Sequence, residues 1–570
     1  MRYKLLANLY EELSSTTKRL EKIDILSKFL EDLNEKDEDI LYLLEGNIYP
    51  NYDERRIGIS NQIAIKAISK STGTETNKVI ALWKKIGDLG QVAEKLTSNK
   101  TQTTLASHII TTEKVLINLR KLPELEGKGT IEKKLSLITE LLTSADSKEA
   151  LYLVRTLIGD LRIGVQESTI KYAMLKAFFK DNKEYEEELQ KAIDRSNDLV
   201  EVFKIAKKKK IKDLDKIKLQ VGKPIKAMLA QKAKDIPDAF RQLGTPMAVE
   251  YKYDGFRLLI HKINDKVTLF TRSLENVTKQ FPEVEKYIKE FVKGNSFILD
   301  SEAVGYDRKT KKYTDFQAIS QRIRRKYNIK ELQEKLPIEV NIFDILYYNG
   351  KSQLDIPFRK RAELIRKIIK DHPYKLIASK SIITSDQKEI EEFYAEALKN
   401  NQEGVMLKNL NAPYKPGRRV GHMLKIKPED NDLDLVITGA EWGKGKRSGW
   451  LSSFILSCKK GNEYLEIGKV GTGIAEKETE DNKITFQQLT ELLTPLIISE
   501  KSKQVQIKPK VVVMITYQDI QKSTNYKSGW ALRFPRILRL RDDKGIKEVA
   551  TLEEIEKDFV SQRTKNYKYG

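Results

Sequence analysis

A chain of 570 residues is too long for one ordinary hydrophobic core and points to about three domains. Lys and Arg outnumber Asp and Glu by 104 to 82, a formal charge of +22 with a pI near 9.4, which favours a polyanionic partner: nucleic acid first, a ribosome-associated or membrane-surface role as alternatives. One cysteine, Cys458, excludes an intramolecular disulfide and a cysteine-rich zinc site, and four histidines offer no histidine-based metal centre.

The N-terminal stretch MRYKLLANLYEELSS mixes acidic and basic residues and lacks the apolar core and cleavage site of a signal peptide. No segment reaches the ~18 apolar residues that a membrane span needs, so a cytoplasmic protein is expected. Residues 1 to about 215 read as helical. Leu5, Leu6, Leu9 and Leu13 recur at helical spacing, as do the apolar positions of AIKAISKS and ALYLVRTLIGDLRIGV. The run Lys207–Lys210 closes this region as a solvated helix end or a phosphate-contacting patch.

From about residue 247 the texture changes. AVEYKYDGFRLLIHKI, KVTLFTR, SFILDSEAVGYD, IEVNIFDILYYNG and EGVMLKNL read as strands, with helices such as EIEEFYAEALKN between them, an α+β pattern. Past Pro428 the segments LDLVITGAEW, WLSSFILSCKK, EYLEIGKVG and VVVMITY are short strands bounded by turns, which suits a small β-barrel of the oligonucleotide-binding (OB) type, and VSQRTKNYKYG reads as a polar tail.

The chemistry gathers around Lys252, Tyr253, Asp254 and Gly255, followed by Arg257. A lysine in a strand among Val249, Tyr251 and Phe256 sits where its ammonium can be desolvated, and desolvation or nearby cations favour the nucleophilic free amine. Gly255 lets the backbone turn close to a ligand. Asp300, Glu302 and Glu403 are carboxylates in apolar strands, the oxygen donors that Mg²⁺ prefers. Lys425 and Lys427 stand at period two, on one face of a strand. RFPRILRLR, with Arg533, Arg536, Arg539 and Arg541, points to phosphate or nucleic acid.

The ordered series KYDGFR, FTRSLE, DSEAVG, NIFDILYYNG, EGVMLK, KIKP and RFPR resembles the motif set of ATP-dependent DNA ligases. LIGDLRIGVQEST resembles the helical DNA-binding domain of the archaeal and eukaryotic replicative type, VGKPIKAMLA its lead into the catalytic domain, and SGWALRFPRILRLRDDK its C-terminal segment. The resemblance implies a multidomain protein: an all-α DNA-binding domain over 1–220, an α+β nucleotidyltransferase (adenylation) domain over 221–428, and an OB-fold β-barrel domain over 429–570. It implies ATP as nucleotide and Mg²⁺ as metal, with Mn²⁺ and other nucleotides left open. A monomer acting on nicked duplex DNA in replication, repair and recombination follows, with no membrane partner.

The resemblance also implies roles. Lys252 takes AMP; Glu250 lies at the adenine and Phe343 stacks on it; Arg257 and Arg272 contact nucleotide and the 5′-phosphate at the nick. Glu302 contacts ribose or metal, and Glu403 helps hold metal. Arg419, Lys425 and Lys427 bind phosphates, and Arg533 and Arg536 orient the leaving pyrophosphate. AMP then passes to the 5′-phosphate, and the 3′-hydroxyl displaces it. Gln102 and Leu105 stand where a sliding-clamp docking peptide is expected, an ordinary surface loop being the alternative. Met423 replaces the family's usual Trp and Met514 its common Glu. RNA ligation, capping-type nucleotidyl transfer and a catalytically inert nick-binding protein are the rival readings. The long helical N-terminal region and RFPR argue against the first two, and the intact Lys252, Glu302, Glu403 and Lys425 against the third.

Overall fold

The computed structural model describes residues 1–98, 109–314, 316–325, 327–418, 420–428, 431–443, 447–478, 484–501 and 503–564. Gln102, Leu105 and Arg419 lie outside the described residues. Two compact units make up the chain. One gathers Met1–Gly58, Thr111–Glu126 and Gly159–Pro428; the other gathers Ile59–Ile110, Gly127–Ile158 and Glu429–Gly570.

The first unit opens with helices Tyr3–Ser15 and Arg19–Asp32. Tyr3, Leu6, Tyr10 and Leu13 form the buried stripe of the first, one turn apart as a helix requires. Leu5, expected on that stripe, is instead 55% exposed, because the adjacent position of a helix points about 100° away. Glu167–Phe179 packs on Arg19–Asp32, and the region closes with Leu199–Lys207, where the lysine run begins. Asp198 caps that last helix and accepts from Tyr42 Oη at 2.8 Å.

Two sheets follow. The first uses β1 (Gln231–Lys232), β2 (Met247–Lys252), β9 (Ser381–Thr384), β10 (Gly404–Asn409) and β11 (Met423–Ile426), in the order β1-β11-β10-β2-β9. The second uses β3 (Phe256–Ile263), β4 (Lys266–Thr271), β5 (Ser296–Gly305), β6 (Ile338–Tyr348), β7 (Lys351–Ser352) and β8 (Leu376–Ala378). Its order is β4-β3-β5-β6-β7, with β8 parallel to β6.

Each sheet is covered on its outer face. Met247, Val249, Tyr251, Val405, Leu407 and Leu424 pack with residues of helices Ile236–Leu243 and Gln387–Lys399. Leu258, Ile260, Leu299, Val340 and Ile342 pack with residues of helices Pro282–Phe291 and Phe358–Ile368. The inner faces share a smaller apolar cluster: Leu259, Ile298 and Leu346 of the second sheet with Met423 of the first. Met423 therefore fills core volume, 5% exposed, where the family's usual Trp would present a ring.

In the second unit, helix Ser147–Leu157 starts from a capping box of Asp146 and Glu149, and its Arg155 forms a buried pair with Asp88 at 2.8 Å. The strands are β12 (Asn431–Trp442), β13 (Leu451–Lys460), β14 (Glu463–Val470), β15 (Ile497–Lys501), β16 (Gln504–Ile507), β17 (Val512–Tyr517), β18 (Asp519–Lys522), β19 (Trp530–Arg533) and β20 (Arg536–Leu540). They order as β14-β13-β12-β16-β15, with β17 between β12 and β20 and β18–β19 as a separate pair.

One edge of β12 serves two partners, β17 along Asn431–Val436 and β16 along Gly439–Glu441. A register shift between Ile437 and Gly439 against β13 marks the change. No closed barrel is present among the described residues, so the C-terminal region is strand-rich without the closure expected of it. The expected polar tail, from Val560, begins inside a helix. Helix Leu552–Thr564 takes in its first residues, because Leu552, Ile555 and Phe559 recur at helical spacing and pack on the strand core. Among the described residues no helix is long and apolar enough to cross a membrane.

One buried ion pair fastens helix Phe358–Ile368 to β6. Arg361 Nε and Nη2 meet the two oxygens of Asp344 at 2.7 and 3.1 Å, and Arg361 Nη1 donates to Ala412 O at 3.1 Å. Asp344→Ala leaves a buried guanidinium without its counter-charge and should destabilise this unit by about 3–5 kcal/mol. The double change Asp344→Leu with Arg361→Met should recover most of that, and thermal denaturation of the three variants checks both.

Candidate active site

Strand alternation assembles the site. In β2 every residue but Lys252 is buried, so the strand has two inside faces. Met247, Val249 and Tyr251 take the helix side; Ala248, Glu250 and Lys252 take the inner one. Register continues that inner face across the sheet: Lys252 lies opposite Gly404, Glu250 opposite Met406, Met406 opposite Lys425, and Ala248 opposite Lys408. Lys427 follows directly after β11.

Glycine is required twice by space. A Cβ on Gly255 would lie 2.3 Å from Ala303 O, so the β2–β3 turn closes on β5 only because no side chain is there. The close approach that Gly255 permits is thus to a neighbouring strand. Gly404 has φ +142°, and a Cβ there would lie 2.2 Å from Ile426 O. Its neighbour Glu403 therefore stands beside Lys252. Glu403 N donates to Lys252 O at 2.8 Å, and Lys252 Nζ forms an ion pair with the Glu403 carboxylate.

The second sheet supplies the facing wall. Arg257 on β3 lies opposite Glu302 on β5. Arg257 is clamped by Asp300: Nε donates to Oδ1 at 2.8 Å and Nη2 pairs with Oδ2. Tyr414 Oη donates to Asp300 Oδ2 at 2.7 Å and accepts from Met228 N at 3.0 Å, while Arg257 Nη1 donates to Met228 O at 3.1 Å. Asp300 is wholly buried in this network, so of the three carboxylates expected at a metal it is committed to Arg257 and Tyr414 instead. Phe343 on β6 is partly exposed, with the Arg257 guanidinium 5.2 Å and the Lys408 ammonium 5.0 Å from its ring centroid. Glu250, expected beside a base, is buried and paired with Lys408 at 2.7 Å. Burial pushes its carboxyl above the ordinary range, and Lys408 opposes that shift.

Burial pushes the Glu302 carboxyl up to about 8, with Glu403 and Asp300 adding to the rise and Lys252 and Arg257 opposing it. Among the described residues no group of three metal-ligating side chains forms a closed cage. Two carboxylates that repel each other, Glu302 and Glu403, beside Lys252 and Arg257 do fit Mg²⁺, which takes one or two protein carboxylates and its remaining oxygens from water and phosphate.

The remaining expected residues are placed as follows. Arg272 is exposed just past β4. Arg533 and Arg536 belong to the second unit, where Arg533 pairs with Asp519 at 3.1 Å and Arg536 is exposed. Met514 lies opposite Arg539 across β17 and β20, its sulfur 3.3 Å from Arg539 Nε, so the family's usual glutamate would there meet an arginine. Arg162 donates to Asp160 Oδ2 at 2.8 and 2.7 Å. Lys408, Tyr414 and the Asp344–Arg361 pair were missed by sequence reasoning. The one signal was Lys408 at period two from Gly404 and Met406, on the face that already carries Lys252.

Comparison with known proteins places the chain. The family described as "ATP dependent DNA ligase domain" matches residues 227–427, "DNA ligase N terminus" matches 2–175, and "ATP dependent DNA ligase C terminal region" matches 447–544. A DNA ligase of Nanoarchaeum equitans is 44% identical over 565 residues, covering 99% of each chain. A DNA ligase of Thermococcus onnurineus is 39% identical, covering 97% of each. A solved structure named Pmar-Lig_PreS3 shares the fold at a TM-score of 0.58 and 17% identity, covering 94% of this chain and 99% of its own.

The Glu302 carboxyl yields a pH test. Its folded-state value, about 8, lies above the 4.5 of a free side chain, so between these values the folded chain holds a proton that the unfolded chain has released. Its contribution to stability is full below about 4.5 and is lost as pH rises through about 8. Glu302→Gln should remove this part of the pH dependence, so that the variant's melting temperature gains on the native protein's as pH rises across that window.

Proposed function

As the chain belongs to the ATP-dependent DNA ligases, we propose that Lys252 is the residue on which it carries AMP between ATP and DNA. The observation that carries this reading is the ion pair of Lys252 with Glu403 on the one polar face of a doubly buried strand, across from Arg257, Glu302 and the Phe343 ring. A lysine free of its proton attacks the α-phosphorus of ATP; the N–P bond forms as the bond to pyrophosphate breaks. An oxygen of the 5′-phosphate at a nick then attacks that phosphorus and the N–P bond breaks. The 3′-hydroxyl oxygen attacks the 5′-phosphorus last, AMP leaves, and the strand is closed.

Each step is an in-line displacement whose chief demand is positioning and charge stabilisation. Phe343 gives the base an apolar ring to stack on, and Glu250 lies one strand repeat from Lys252 to read it. Arg257 is held rigid by Asp300 and Tyr414, and with Arg272, Arg419, Lys425 and Lys427 it receives phosphate oxygens. Glu302 and Glu403 would hold Mg²⁺, which supplies neutralisation of phosphate charge when bound.

The division of labour follows the expected domains. Residues 1–220 hold duplex DNA by nonspecific phosphate contacts, 221–428 carry the nucleotide chemistry, and 429–570, as an OB-type domain, bring Arg533 and Arg536 to the leaving pyrophosphate. The working unit is a monomer on nicked duplex DNA in replication, repair and recombination.

Lys252→Ala should abolish the covalent adduct formed with ATP labelled in its α-phosphate, read on a denaturing gel, yet still seal a nick supplied already adenylated. Persistent adduct in that variant sinks the assignment. Arg533→Ala with Arg536→Ala should slow adduct formation by a larger factor than it slows sealing of the pre-adenylated nick. A normal adduct rate would move these arginines from pyrophosphate to DNA contact.

A further inference from the structure

Lys408 is a buried lysine of the inner sheet face whose chemistry the reaction above leaves unused. Its side chain is 4% exposed. The ammonium meets Glu250 Oε2 at 2.7 Å and donates to the Phe343 carbonyl at 3.1 Å, and it lies 4.5 Å from the Phe358 ring centroid. An ammonium has three hydrogens and no acceptor, so these partners occupy it and none of it is turned toward a ligand. What it touches is the pair of residues best placed to hold a purine: the acceptor Glu250 and, 5.0 Å away, the Phe343 ring. Register explains the arrangement. Lys408 lies opposite Ala248, whose small side chain leaves room for the lysine to reach diagonally to Glu250 on the same face.

We propose that Lys408 is a positioning residue for nucleotide choice: its ion pair holds Glu250 beside Phe343 with a carboxylate oxygen as acceptor, so that the site takes a 6-aminopurine and refuses a 6-oxopurine. A carboxylate accepts from the exocyclic amine of adenine. Against the 6-oxo group of guanine it sets oxygen lone pairs on both sides, with no hydrogen between them. Without a cation buried beside it, Glu250 would take up a proton and become a donor that the 6-oxo group could use. The inference rests on the reading of Lys252 as the AMP-bearing residue, because that reading places the base along β2 from the reacting phosphate.

The test is adduct formation by the full-length chain with α-labelled ATP or GTP across a concentration series. Lys408→Met should raise the KM for ATP by about ten- to a hundredfold, the weight of one charge-assisted hydrogen bond, leave kcat nearly unchanged, and raise the use of GTP relative to ATP. Lys408→Arg should restore the preference for ATP. An unchanged ATP KM in Lys408→Met, or a raised KM with the same ATP-to-GTP preference, overturns the proposal, since a merely structural lysine would not change which base is chosen. If Lys408→Met fails to fold, the neutral pair Glu250→Gln with Lys408→Met replaces it. The amide both donates and accepts, so the preference should collapse, and an ATP preference retained in that double variant overturns the proposal too. Lys252→Ala is run beside them: label on that protein breaks the Lys252 reading, whereas loss of label there with unaltered selectivity in the Lys408 variants breaks only this one.

Discussion

Desolvation governs the space between the two sheets. A charge taken out of water there costs several kcal/mol unless another charge or a set of hydrogen bonds meets it. The inner faces obey this by pairing: Lys252 with Glu403, Arg257 with Asp300, Lys408 with Glu250. Glu302 lies close to both Lys252 and Glu403, and burial lifts its carboxyl to about 8. The site is thus a set of balanced charges in which each buried group has a counter-charge.

The surrounding fold serves that balance. Both sheets need apolar outer faces so that helices can seal them, and the inner faces can then afford polar side chains only at alternate positions. Glycine at 255 and 404 draws the turn and the strand ends together until Lys252, Glu302 and Glu403 share one small volume. Tyr414 does for the Arg257 side what Lys408 does for Glu250. It is fully enclosed, its hydroxyl joins Asp300 to the backbone of Met228, and it gives the guanidinium one permitted orientation.

Within the same compact unit the helices are tied to the segments that flank the first sheet. Lys226 pairs with Glu167 at 2.5 Å, Lys415 with Glu187 at 2.9 Å and Arg418 with Asp194 at 3.2 Å, and Asn197 Nδ2 donates to Pro224 O at 3.0 Å. Lys415 and Arg418 stand in the segment between Tyr414 and β11, so helix Glu186–Ser196 holds the approach to the KIK strand. The basic excess seen in composition is therefore partly internal. Some of those cations neutralise acids of the helices, and the remainder are left to meet a polyanion.

Periodicity and local spacing carried the strand–turn–strand around Lys252, the helical texture before residue 215 and the strands after 428, because those depend on residues close in sequence; the family came from the resemblance of an ordered set of motifs, which a chain displays without folding. They also put Lys252 and Glu302 on strands, whereas Glu403, expected on one too, lies just before β10. The partners were beyond their reach. Asp300 reads like a metal ligand until β3 places Arg257 beside it, and Lys408 has no reading of its own until β2 places Glu250 beside it. The last helix, which runs into the expected tail, went unread because Leu552, Ile555 and Phe559 show their stripe only against the strand core they cover. A charge's role is set by what lies within a few ångströms of it, and in a sheet protein those neighbours come from distant strands, 43 residues away for Arg257 and Asp300 and 151 for Lys252 and Glu403; only the tertiary structure brings them together.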